Sequence, residues 1–212
     1  MPFILPPRGQ VGDPAVHARR RRPRGFTLVE ALVSTSIIAI AGTSVLLGIA
    51  ASIQATDDAL THSIALGMAR QLIDEVSGQR YMEAGAGPYD TRLEPEADES
   101  AGPGRSLYDD IDDYNGFSSQ PPTDPWGIGL ARDDGRSAER HPRFQPAAGY
   151  FRHWRQRVDV HYVDEADLSA PLPAGVTSDY RAVHVRIYVD DPLRGPREMA
   201  HLTRVFAHVP LP

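Results

Sequence analysis

The chain contains no cysteine and no lysine. The first absence excludes a disulfide framework, a thiolate metal centre and a cysteine nucleophile. The second makes every basic residue an arginine, and these arginines are unevenly spread. Six of the 22 (Arg8, Arg19, Arg20, Arg21, Arg22, Arg24) precede Gly25, together with one acid, Asp13, of the 28. The remaining 16 arginines face 27 acids, which leaves a formal charge of −11 after Gly25. Such a body repels phosphate backbones, so no nucleic-acid binding is expected of it. Catalytic signatures are missing too: there is no HExxH, no GxSxG and no glycine-rich phosphate loop, and the eight histidines are scattered. No enzymatic activity is expected. At 212 residues the chain fits one modest domain with an appendage.

What is present falls into a basic leader, an apolar span and an acidic body. Residues 1–25 hold five prolines and too few apolar side chains to bury anything, so this leader is expected to be unstructured. From Phe26 to Thr56 the sequence reads FTLVEALVSTSIIAIAGTSVLLGIAASIQAT, with Glu30 as its one ionisable side chain. A helix of roughly 20 such residues crosses the hydrocarbon core. Arginines before the span, with Asp57 and Asp58 after it, orient the N-terminus toward the cytoplasm and the rest outside. A secretory signal cut near Ala50 or Ala51 is the alternative, but the apolar run is too long for its core, and an acid within a membrane segment is costly. That acid asks for a partner.

Gly25 to Leu32 read GFTLVEAL. With the basic leader and the uncharged helix, this resembles the cleavage and methylation signature of type IV prepilins and the pseudopilins of type II secretion. The resemblance implies that a prepilin peptidase cuts between Gly25 and Phe26 on the cytoplasmic side and methylates the new amine of Phe26, making Glu30 the fifth residue of the mature chain. The spacing has its own logic, since Glu30 lies one helical turn from that amine. When a subunit joins a filament, its terminal amine meets Glu30 of a subunit already present, and two charges stranded in apolar surroundings neutralise each other. Many pilins carry a helix-breaking proline in this span, and none occurs here.

Beyond Asp57 the pattern turns amphipathic. Ser63, Gly67, Arg70, Asp74 and Ser77 form a polar stripe, and Leu60, Ile64, Met68, Ala69, Leu72, Ile73 and Val76 fill the other sector, so one helix is expected to run to about Met82, with Gly85, Gly87 and Pro88 marking its end. Residues 84–149 are rich in Gly, Pro, Asp and Ser and read as an irregular connection. Strands are expected at Trp154 to Tyr162, Val183 to Val189 and Ala200 to Val209, with a turn over Asp190 to Arg197. The expected fold class is α+β, a long N-terminal helix packed on a small antiparallel sheet of three or four strands, which the family resemblance also implies. Its segments are a cleaved leader (1–25), a membrane and assembly half-helix (26–56), an amphipathic half (57–83), the acidic connection (84–149) and the sheet (150–212).

Tyr108 to Phe117 read YDDIDDYNGF. A calcium site built from some of Asp109, Asp110, Asp112, Asp113 and Asn115 is one reading, although the EF-hand spacing fails. The other is a solvated turn with Tyr108, Tyr114 and Phe117 packed beneath. With the following PPTDPWG, the segment also resembles a loop in a minor pilin of mannose-sensitive haemagglutinin pili. His161 and His184 fall on the polar side of their strands, where a zinc site would need a cross-strand register that one sequence does not provide. No other cofactor is expected. The whole reads as a minor pilin or pseudopilin-like subunit of the inner membrane, later placed in a filament in the periplasm or at the cell surface. Its partners would be the prepilin peptidase, other pilin or pseudopilin subunits, an inner-membrane assembly platform and membrane lipid. The alternative is a permanently anchored extracytoplasmic binding domain that does not polymerise.

Overall fold

The computed structural model describes residues 25–210, so residues 1–24 of the basic leader, and the expectation of disorder placed on them, lie outside the described residues. The fold class is α+β, as the sequence patterning requires. Helix α1 covers Leu28–Ser77, followed by strands β1 (Ser118–Ser119), β2 (Trp154–Tyr162), β3 (Tyr180–Asp191) and β4 (Gly195–Ala207). By internal packing the chain divides into two units, one ending at Ser52 and the other running from Ile53.

In the first unit α1 is apolar on all sides and buries nothing. Leu28 is 84% exposed and Leu47 71%. Its hydroxyls are satisfied locally: Thr35, Ser36, Thr43 and Ser44 each donate to a carbonyl three or four residues back, so these groups need no water. At about 1.5 Å per residue the portion from Leu28 to Ser52 is roughly 37 Å long, enough to cross a hydrocarbon core of about 30 Å.

In the second unit the same helix becomes one-sided. Ala65, Met68, Ala69, Leu72, Ile73 and Val76 are buried while Ser63, Gly67, Arg70 and Asp74 face solvent, as their spacing predicts. Leu60, expected in the apolar sector, is 55% exposed. The buried stripe packs on Val158, Val160, Val183, Val185 and Ile187, the inward positions of β2 and β3. Fully burying side chains of this kind contributes about 1.5–3 kcal/mol each, before the cost of ordering the chain. The sheet is antiparallel in the order β1-β2-β3-β4.

Three expectations are corrected. The helix stops at Ser77, short of Met82, because Gly78 breaks it and Arg80 then pairs in extended form with the acidic segment. The Arg80 amide donates to the Asp109 carbonyl at 3.2 Å, and the Ile111 amide donates to the Arg80 carbonyl at 3.1 Å. The turn between the last strands shrinks to the neighbourhood of Leu193, where Asp191 accepts the Leu193 and Arg194 amides and Gly195 adopts φ +81°. The connection also contributes strand β1, whose Ser119 hydroxyl donates to buried Gln156 at 2.9 Å.

Candidate functional site

Gly25, Phe26 and Thr27 precede the helix in non-helical conformation and are exposed, so the Gly25–Phe26 bond is accessible. Thr27 caps the helix: its Oγ1 accepts the Glu30 amide at 3.2 Å, and its carbonyl accepts the Ala31 amide at 3.0 Å. The order Thr27, Leu28, Val29, Glu30 follows a capping-box pattern, which places an acid where the positive end of the helix dipole favours it. Glu30 is exposed, and no ion pair to it exists among the described residues. A Cβ added to Gly25 would meet nothing within 4 Å. The packing of the described residues therefore gives no reason for glycine there.

Residues 20–46 match the family model described as the prokaryotic N-terminal methylation motif, so the chain carries the type IV pilin and pseudopilin signature. The match covers the N-terminal motif alone, and what it supports is a likeness to type IV pilin-like subunits processed by prepilin peptidase. That motif family is one of structural subunits, and its signature together with a long apolar helix fits a single-pass inner-membrane protein. No curated protein and no solved structure matches the chain.

The acidic loop forms a second candidate site. Three of its four carboxylates are buried rather than solvated: Asp110 and Asp113 are 1% exposed and Asp112 8%, while the Asp109 side chain is 42% exposed. They are held by their own backbone. Asp113 Oδ2 accepts the amides of Asp109 (2.8 Å) and Asp110 (3.0 Å), while Asp110 Oδ1 accepts those of Asp112 (2.9 Å) and Asp113 (3.3 Å). Tyr114 is fully buried beneath, with Tyr108 edge-on at 5.1 Å. Two of the five residues in the calcium reading are committed elsewhere, and Asp109 shares one oxygen with Arg80 at 3.0 Å. Asp112 pairs with Arg181 at 2.8 Å, and Asn115 ties Leu93 to Val160, donating to the Leu93 carbonyl and accepting the Val160 amide, both at 2.8 Å.

The structure instead gathers Glu83, Glu96 and Glu99 beside Asp109, Asp110 and Asp113, in three overlapping triads whose oxygens lie within 4.8 Å of one another. Burial, with hydrogen bonds to Glu96 and Asp113, lifts Glu99 to about 8. Burial, with Asp112 beside it, lifts Asp110 to about 7. Asp113 and Glu83 are also raised, first by desolvation. A proton or a hard cation relieves such crowding, and oxygen ligands of this kind suit calcium. Glu83, Glu96 and Glu99 escape a sequence search because they stand 10 to 26 residues before Asp109.

Two buried arginines were also missed. Arg181 is fully buried, donating to Asp112, to the Tyr81 carbonyl and to the Tyr162 hydroxyl, between the rings of Tyr81 and Tyr162. The signal was available, since Arg181 shares its parity with Val183 and Val185 on β3. Arg105 grips Glu75 of α1 through two bonds of 2.8 and 2.9 Å, and the Tyr114 hydroxyl donates to the same carboxylate.

Proposed function

We propose that the chain is a minor pilin or pseudopilin-like subunit. It is made as a single-pass precursor with its N-terminus in the cytoplasm, is cut by prepilin peptidase between Gly25 and Phe26, is methylated on the Phe26 amine, and is drawn from the inner membrane into a type IV pilus or a type II secretion-type filament. The supporting observation is the pairing of an all-round exposed apolar helix with one acid, four residues beyond Phe26. Lipid can cover the apolar surface but leaves the carboxylate unpaired. A neighbouring subunit covers both, because its new amine supplies the missing charge.

The acidic connection and the lack of cysteine favour a minor over a major subunit, since many major pilins close a C-terminal loop with a disulfide. The role is structural, with no reaction assigned. A chain bearing Glu30→Ala is expected to reach the membrane at the level of the unmodified protein and to fall by at least about tenfold in sheared filaments, measured by quantitative mass spectrometry. Incorporation at the normal level would contradict the amine pairing. Absence of the unmodified protein from every filament fraction would favour the permanently anchored binding domain.

A further inference from the structure

The outer face of the sheet carries a cluster that the pilin reading does not use. The register sets Asp159 opposite His184 and His184 opposite Thr203, so His161, one diagonal step away on β2, and His201, one diagonal step away on β4, flank His184. His184 Nδ1 lies 3.0 Å from His201 Nε2. Thr203 Oγ1 sits 2.9 Å from the first nitrogen and 3.3 Å from the second. These three atoms form a closed triangle of lone-pair donors on the solvent side.

The strand geometry that builds this triangle is specific. In a regular strand Glu198 and His201, three residues apart, would point to opposite faces. The register shift in β4, which pairs Ile187 with Ala200 but Tyr188 with Glu198, leaves Met199 as an extra residue and returns Glu198 to the face of His201. The Glu198 carboxylate then stands 4.0 Å from His201 Nδ1, which leaves Nε2 as the nitrogen turned toward His184. The His161 ring stacks on His184 at 4.8 Å and an angle of 12°, fixing its plane. Arg186, the nearby cation, is occupied by Asp159 at 2.6 Å and Glu198 at 3.8 Å.

We infer that His184 and His201, with the Thr203 hydroxyl between them, chelate a borderline transition-metal dication of the zinc or copper(II) class on the outer face of the sheet. Two nitrogens bound at about 2.0–2.1 Å to a tetrahedral ion are roughly 3.3–3.4 Å apart, so the observed 3.0 Å needs a widening of only a few tenths of an ångström. Without an ion, two imidazole nitrogens so close require one to carry the proton. With an ion both present lone pairs, and the proton moves to the far nitrogen of the same ring, which in His201 faces Glu198. This is the carboxylate–histidine support common around bound metals. Hard calcium belongs with the carboxylates of the acidic loop, whereas imidazoles suit zinc and copper.

The test is calorimetric titration of the detergent-solubilised full chain, free of any histidine tag, with zinc at neutral pH under excess calcium to occupy carboxylates. Copper(II) is titrated in parallel and read by electron paramagnetic resonance. Near-stoichiometric zinc binding is expected, weakened at least about tenfold in both His184→Gln and His201→Gln and unchanged in His153→Gln. The copper spectrum should show nitrogen coupling from two imidazoles in the unmodified protein and from one in His201→Gln. Because His201 is exposed at the edge strand, this variant is expected to keep the near-ultraviolet circular dichroism of the parent. Absence of zinc binding, parental affinity in either of these two histidine variants, or a copper spectrum without paired nitrogen coupling would overturn the assignment.

Discussion

The two units treat acids in opposite ways. In the second, the acids that touch the core are withdrawn from solvent and partnered within the chain: Asp112 by Arg181, Glu75 by Arg105 and Tyr114, and Asp110 and Asp113 by backbone amides of their own loop. In the first, Glu30 stands on an exposed apolar helix with no ion pair among the described residues. A partner found inside the chain makes an acid structural. An acid whose partner lies in another molecule makes it an assembly device, and the comparison separates folding from association.

The largest expected effect on folding lies at Arg181. Arg181→Met strands Asp112 without its cation and should destabilise the second unit by about 3–5 kcal/mol, whereas the double variant Arg181→Met, Asp112→Leu should recover much of the loss. Denaturation of the full chain in detergent, followed by tryptophan fluorescence from buried Trp154, measures both. No recovery in the double variant would mean that the arginine's other contacts dominate.

A paired apolar truncation sharpens the contrast between the halves of α1. Leu72→Ala removes a side chain 1% exposed and should cost about 2–5 kcal/mol in the same measurement. Ile38→Ala removes one 69% exposed and should leave that transition within about 0.5 kcal/mol, while reducing filament incorporation.

The smallest effect is pH-dependent. In the folded chain Glu99 titrates near 8 and Asp110 near 7, against about 4 when unfolded, so the folded state retains protons the unfolded state has lost. The stabilisation from these groups is complete below about pH 4 and is lost as pH rises through 7 to 8. The denaturation midpoint should therefore fall between pH 6 and pH 8.5, and Asp110→Asn should flatten that fall. If calcium restores the midpoint at pH 8.5, the calcium expectation for this loop holds with Glu83, Glu96 and Glu99 in place of Asp112 and Asn115.

Much of the fold was legible because two periods dominate: the 3.6-residue stripe from Ile64 to Val76, and the alternation in β2 and β3. The motif at Gly25 to Leu32 was legible because its elements are contiguous. The rest depends on contacts distant in sequence. Arg80 meeting Asp109 ends the extended tail of the helix, Glu99 meeting Asp113 crowds the acidic loop, and the bulge at Met199 sets which face Glu198 takes. No local pattern in the sequence encodes those meetings.

The most direct measurement is the N-terminal mass of the protein extracted from membranes. It should begin at Phe26 with a methylated α-amine; a chain that keeps residues 1–25, or one that starts near Ser52, would contradict the reading of Glu30 as the partner of a freshly cut amine.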